Sequence, residues 1–558
     1  MARMKTHRMV IRYRAQEVIG RAAAEEDGEF LRNCFISTES LAAILNTDSP
    51  QSILLGRTGS GKTASLWHIT ETQRHVITIE PEHLALTYIS NYDILAFFEA
   101  VGVKLDVFYQ LLWRHVLCIE LLNYVFHLNK PAGAFRSWLA ELVATSAARA
   151  KAIEYLERWN SKFWADTEER IKEITETLES KLQAAASINT YALSLSASTA
   201  DTISAEVKKE IISRGQKVVN EVQIQQLAEV MKIIDADIFS QLREPYFVVI
   251  DKLDEDWIDD IRRYKLLRAL IETIKRFRAV HNLKIIIALR SDFIERVYRN
   301  TQDSGFQEEK YEDLHLRIRR SGEQLFALMS RRIAHLMESV YTKRDVSFYD
   351  VFPVKVAGHA TADYIIDRTL LRPRDVIAFV NEILGEAEGH AEITEKIILD
   401  AEANYSRKRL QALCHEWIVD HPRLVEYFAL IKKQGSRFSF VDIDEVTVHN
   451  VFMKIIDTDA DGNKRDSLCE LVDDVCQDIR SMEECKSEVL KILYKIGVLG
   501  VKLETYMPFT YSQAGPAELS SDQISNAVRF EIHPMLWRAL GVHRDRGSGT
   551  AKRQVQVA

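Results

Sequence analysis

Gly56-Arg57-Thr58-Gly59-Ser60-Gly61-Lys62-Thr63 fits the phosphate-loop pattern G-x-x-x-x-G-K-[ST], known as Walker A, at every position. Such a loop works through its backbone. Glycines at 56, 59 and 61 permit positive φ, so successive N–H groups can turn inward onto an anion. Lys62 then reaches the β/γ-phosphates, and the Thr63 hydroxyl can hold Mg²⁺. A match of this length arises by chance in roughly one chain of this size in fifty. The neighbours lower that further, because Ser52-Ile53-Leu54-Leu55 reads as a strand leading in and Ala64 to Thr72 as a helix leading out. The stretch therefore predicts a nucleotide cradle built from Gly56, Gly59, Ser60, Gly61, Lys62 and Thr63.

A chain of 558 residues is too long for one core and should divide into three or four domains. With 47% hydrophobic and 28% charged residues it reads as ordinary globular protein rather than a disordered chain. The net charge of −8 gives no overall pull toward nucleic acid, so any DNA contact must come from a local basic face. Cys34, Cys118, Cys414, Cys469, Cys476 and Cys485 show neither C-x-x-C spacing nor disulfide-scaffold pairing, which suggests a reducing cytoplasm. Basic residues in the first 14 positions are followed by no apolar core, and no window of about 18 uncharged apolar residues occurs. The expectation is a cytoplasmic chain with no membrane span.

Upstream of the loop, Ile19, Phe35 and Ile36 are equally candidates for an apolar base pocket and for ordinary core packing. Downstream, His75 to Glu80 alternates as a second strand and Leu105 to Leu128 reads as a helix. Residues 138–240 look like a helical insertion with a small β tip at Tyr191 to Ser198, either contacting a partner or standing as a solvated arm. The sheet resumes at Pro245-Tyr246-Phe247-Val248-Val249-Ile250-Asp251, a Walker B strand whose terminal carboxylate can hold the Mg²⁺ shell. Asp254, three residues on, is the choice for orienting and deprotonating the attacking water, with Glu255 and Asp256 as alternatives.

Leu283 to Asp292 matches a sensor 1 strand lying between the Walker strands, which sets Arg290, Ser291 and Asp292 near the γ-phosphate. Arg296 and Arg299 on the next helix are possible arginine fingers. Leu314 to Met337 reads as one helix crowded with Arg317, Arg319, Arg320, Arg331 and Arg332. At Leu371-Arg372-Pro373-Arg374-Asp375, Pro373 marks a helix start. An arginine in the first turn opposes the helix dipole, so Arg374 is assigned to a phosphate as sensor 2, with Arg372 second.

Further on, helices give way to two strand signals, Val498 to Leu503 and Ala527 to Ile532, the outline of a winged helix. Asp457 to Leu468 imitates an EF-hand loop but has Leu468 where the bidentate Glu belongs, and His415-Glu416 lacks the second His of a zinc protease helix. Mg²⁺ is the one metal expected.

Taken together, the cradle, the Asp251/Asp254 spacing, the Leu-Arg-Ser-Asp strand end and the Arg-Pro-Arg-Asp helix start resemble the AAA+/STAND class of P-loop ATPases. The layout is similar to origin-recognition ATPases: α/β, a P-loop NTPase parallel sheet with a helical insertion, a helical lid and a C-terminal winged-helix domain. The corresponding boundaries are 1–137 and 241–350 for the two halves of the core, 138–240 for the insertion, 351–400 for the lid and 401–558 for the winged-helix-like part. The resemblance implies an ATP-binding and hydrolysing switch that needs Mg²⁺ and self-associates. It also implies a place in anti-phage defence with a protein effector, or else DNA maintenance through the C-terminal domain; a non-hydrolysing scaffold is a third reading. One departure stands out: Lys252 follows Asp251 where typical members carry Glu, which leaves Asp254 as the base.

Overall fold

The apolar run ahead of the Gly56–Thr63 loop is an interior strand of a parallel sheet. The computed structural model describes residues 12–81, 99, 102, 105–126, 147–159, 209, 221–258, 260–301, 309–342, 344–432, 434–457, 468–477, 479–516 and 518–542. They fall into two compact units, Ser37–Arg57 with Lys62–Ile318, and Met1–Ile36 with Thr58–Gly61 and Arg319–Ala558. The first 36 residues thus group with the C-terminal half rather than with the sheet.

The sheet unit runs α1 (Glu39–Leu45), β1 (Ile53–Gly56), α2 (Lys62–Thr72), β2 (Val76–Ile79), α3 (Asp106–Val125), α4 (Ala147–Trp159), α5 (Glu221–Ile233), β3 (Tyr246–Ile250), α6 (Asp260–Phe277), β4 (Leu283–Arg290), α7 (Ser291–Asn300) and β5 (His315–Arg317). Its five strands are parallel in the order β2-β3-β4-β1-β5. Strand β4 lies between the other two as the sequence predicts. Every residue of β1 and β3 is buried, which is why both read as unbroken apolar runs. Lys284, near the start of β4, is also buried, and it is satisfied by the carbonyls of Asn46 and Ser49 beyond α1. On α3 the buried Trp113 donates to the Leu266 carbonyl of α6 at 2.8 Å. Helices α4 and α5 are joined by Lys151 and Glu229 at 2.6 Å, while the expected β tip at 191–198 lies outside the described residues.

One expectation is corrected here. Leu314 to Met337 is not a single helix: His315-Leu316-Arg317 pairs with Ile53-Leu54-Leu55 as the edge strand, and the helix starts at Gly322. Ser321 and Gln324 form a capping box that starts the helix there, and Arg317 is exposed, as an edge strand tolerates.

The helical unit contains α8 (Gly322–Val340), the hairpin β6 (Lys355–Val356) and β7 (His359–Ala360), α9 (Thr361–Ile366), α10 (Pro373–Glu386), α11 (Glu395–Glu416), β8 (Arg437–Phe438), α12 (Glu445–Asp457), α13 (Cys469–Cys476), α14 (Met482–Lys495), β9 (Leu499–Lys502) and β10 (Arg529–Ile532). Helices α10 and α11 pack through Phe379 and Tyr405, stacked with centroids 4.4 Å apart. Buried ion pairs Arg368–Glu402, Arg372–Glu416 and Arg409–Asp375 tie α11 to α10 and the turn before it. The last sheet is antiparallel in the order β8-β10-β9, with Phe530 opposite both Phe438 and Val501. Two of its strands match the sequence signals; β8 is too short to show periodicity. The architecture is a mixed α/β chain with a central parallel sheet and a C-terminal helical part. No helix among the described residues is long and apolar enough to cross a membrane, and the EF-hand-like stretch falls almost wholly outside them.

Candidate functional site

The Gly56–Thr63 loop joins the end of β1 to the start of α2. Gly59 and Gly61 take left-handed φ values of 78° and 99°, as the pattern requires. Gly56 does not: it stays extended as the last residue of β1, held in register opposite Arg290 of β4. The Lys62 ammonium folds back onto the loop, donating to Gly56 O at 3.1 Å and Arg57 O at 3.3 Å. Burial lowers its pKa, opposed chiefly by the charges of Asp254 and Asp251. The Thr58 and Ser60 hydroxyls are closed off from solvent and have no hydrogen-bond partner.

Around Lys62 the sheet unit assembles the acids that the sequence singled out. Lys252 N–H donates to Asp251 Oδ1 at 2.9 Å, and the Thr63 side chain lies beside the same carboxylate. Burial raises the Asp251 pKa in spite of both neighbours. Lys252 itself is left-handed at φ 58°, an uncommon state for a side chain with a Cβ, and it turns the chain so that Asp254 comes back beside Lys62. Asp254 is half-buried. Asp256 is drawn away by Arg263 at 2.6 Å. Arg290 and Asp292, also electrostatic neighbours of Lys62, are paired at 2.7 Å. Arg296 is held by the same Asp292 at 3.2 Å and lies over the Phe293 ring, so of the two finger candidates only Arg299 is exposed.

In the helical unit, Arg374 meets the loop tip that clusters with it. Its backbone N–H donates to Gly59 O at 3.4 Å, its Nε donates to Ala22 O at 3.1 Å, and a Cβ on Gly59 would stand 2.8 Å from the Arg374 Cβ. Arg372, the second sensor candidate, turns the other way. It is 2% exposed and paired with Glu416 at 2.8 Å, a core ion pair rather than a phosphate contact. Ile19 is wholly buried in this unit's apolar core; its N–H donates to Asn381 Oδ1 at 2.9 Å. Phe35 O and Ile36 O accept from Arg331 and Arg320, each at 3.1 Å. Arg320, for which the sequence offered no role, lies against Gly61.

These positions offer backbone and hydroxyl donors, an ammonium and a hydroxyl-carboxylate pair: the donor set of an oxyanion site with a hard-cation position beside it. Among the described residues no three His, Cys, Asp or Glu side chains cluster as a protein-only metal cage.

Residues 323–414 match the FunZ-associated C-terminal helical domain. That match takes in all but the first residue of α8, all of α10 with Arg374, and most of α11. Over 548 residues the chain is also 21% identical to the Escherichia coli (strain K12) protein named "Putative transposon gamma-delta 80.3 kDa protein", covering 94% of this chain and 67% of that one.

Proposed function

We propose that this chain is a P-loop ATPase of AAA+/STAND type, an oligomeric switch whose state is set by bound ATP. The Thr63 side chain set against the Asp251 carboxylate beside Lys62 carries the reading, because it brings together the two Mg²⁺-holding groups of a phosphate loop across 188 residues of chain. The unpartnered Thr58 and Ser60 hydroxyls fit an anion as well. In this mechanism the loop amides and Lys62 would hold the phosphates, and Thr63 and Asp251 would hold Mg²⁺, which would supply charge neutralisation. Asp254 orients the attacking water and takes its proton. Arg290, fixed by Asp292, stabilises charge at the strand end, and Arg374 reports occupancy to the helical domain through Gly59. Substituting Lys62→Ala is expected to cut phosphate release by about a hundredfold or more; hydrolysis at the wild-type rate would overturn the assignment.

The class resemblance supports a role in anti-phage defence with a protein effector. DNA maintenance is the second reading, and it has an observation of its own: the three helices α12 to α14, which follow β8 and lead into β9 and β10 of the same antiparallel sheet, a layout that fits a winged helix, in a chain with a transposon-named relative. Against it, α14, the helix ahead of the wing, opens with Glu483 and Glu484, where a DNA reader needs Lys or Arg. Duplex binding by the full chain that weakens steeply with salt would reverse the order. ATP-dependent growth in particle size by light scattering is expected under either.

A further inference from the structure

Arg320 is a half-buried cation with no carboxylate partner among the described residues. It sits in the loop between β5 and α8, where its Nη1 donates to Ile36 O at 3.1 Å. Its Nε is closed off from solvent with no hydrogen-bond partner, and among the described residues no carboxylate pairs with it. The deeply buried arginines described in this unit, by contrast, all have an acid: Arg332 has Asp27, Arg368 has Glu402, Arg372 has Glu416 and Arg409 has Asp375. A charge drawn partly out of water with its Nε unpartnered costs stability, so a cation kept in that state suits a ligand that completes it. The second observation is where it points. Nη2 lies 3.5 Å from the place a Cβ would occupy on Gly61, the left-handed glycine at the end of the phosphate loop. Burial lowers the Arg320 pKa, and no acidic neighbour opposes the shift.

We propose that Arg320 is a phosphate-binding residue: its guanidinium donates to a non-bridging phosphate oxygen of the nucleotide at the Gly61 end of the loop. This rests on the nucleotide reading above and extends it to a residue outside the Walker and sensor positions. The planar fork suits this task, since Nη1 can stay on Ile36 O while Nη2 and Nε face the anion.

Calorimetric titration of the full chain with Mg-ATP, alongside melting with and without it, tests the proposal. Arg320→Gln is expected to weaken ATP binding about tenfold to a hundredfold, while melting without nucleotide at or above the wild-type temperature, because it removes an uncompensated charge. Wild-type affinity in Arg320→Gln overturns the proposal and leaves the nucleotide reading intact. A lower melting temperature without ATP, together with an undiminished ATP-induced rise, also overturns it, since Arg320 would then only anchor Ile36. Absence of ATP binding to the wild-type chain overturns both. If Arg320→Gln does not fold, Arg320→Lys decides: ATP binding weakened severalfold supports the proposal, and unchanged binding sinks it.

Discussion

At Gly59 the backbone and the neighbouring side chain make the same demand. A Cβ there would be held at φ 78° and would stand 2.8 Å from the Arg374 Cβ, an atom too near its own backbone to swing aside. Gly59→Ala is therefore expected to cost at least about 1–2 kcal/mol of stability from the left-handed backbone alone, read as a lower denaturant midpoint, and to weaken ATP binding as Arg374 is displaced. The left-handed turns at Gly59 and Gly61 were legible in the sequence because that geometry is local, set by glycines within a few positions. Asp27 and Arg332 are the opposite case. They form a buried ion pair 305 residues apart, each side chain 3% exposed, and no spacing rule connects them. Removing one partner strands the other, so Asp27→Ala is expected to destabilise by about 3–5 kcal/mol, measurable by urea unfolding. Arg372 was misread for a related reason: the sequence shows a helix start but not that Glu416, at the far end of α11, waits for the guanidinium.

Elements were legible where a periodic run was long and failed where it was short. Strands β3 and β4 announce themselves; β5, three residues in an arginine-rich stretch, takes its identity from its partner β1. The capping box that begins α8 is the local signal that separates the two, and Ser321→Ala is expected to cost about 1 kcal/mol, with a matching fall in melting temperature. Strand β5 also carries a titrating group. His315, in contact with the Tyr298 hydroxyl at 2.9 Å, has its pKa pushed by burial down to about 4 from an ordinary 6.5. Between those values the unfolded chain binds the proton and the folded one does not. Its contribution is thus whole above pH 6.5 and declines as the pH falls toward 4. Unfolding midpoints measured across that range should drop with acidity, and His315→Phe should flatten the slope.

For the whole molecule, length indicated three or four domains, whereas the chain divides by contact into two units whose boundary ignores sequence order. That arrangement is invisible to composition because it depends on which distant segments pack together. Residues 12–36 join the helical unit through contacts such as Ile19 with Asn381, and they end at Ile36, whose carbonyl is bonded by Arg320. The points where the chain leaves that unit and returns are accordingly within reach of one arginine side chain. In topological terms the sheet unit is a guest inserted into a host that is already closed at the insertion point. A chain with Ile36 joined to Arg319 by a few glycines and serines should keep a cooperative melt and the helical content of the host, while losing, with Gly59, the loop that Arg374 touches.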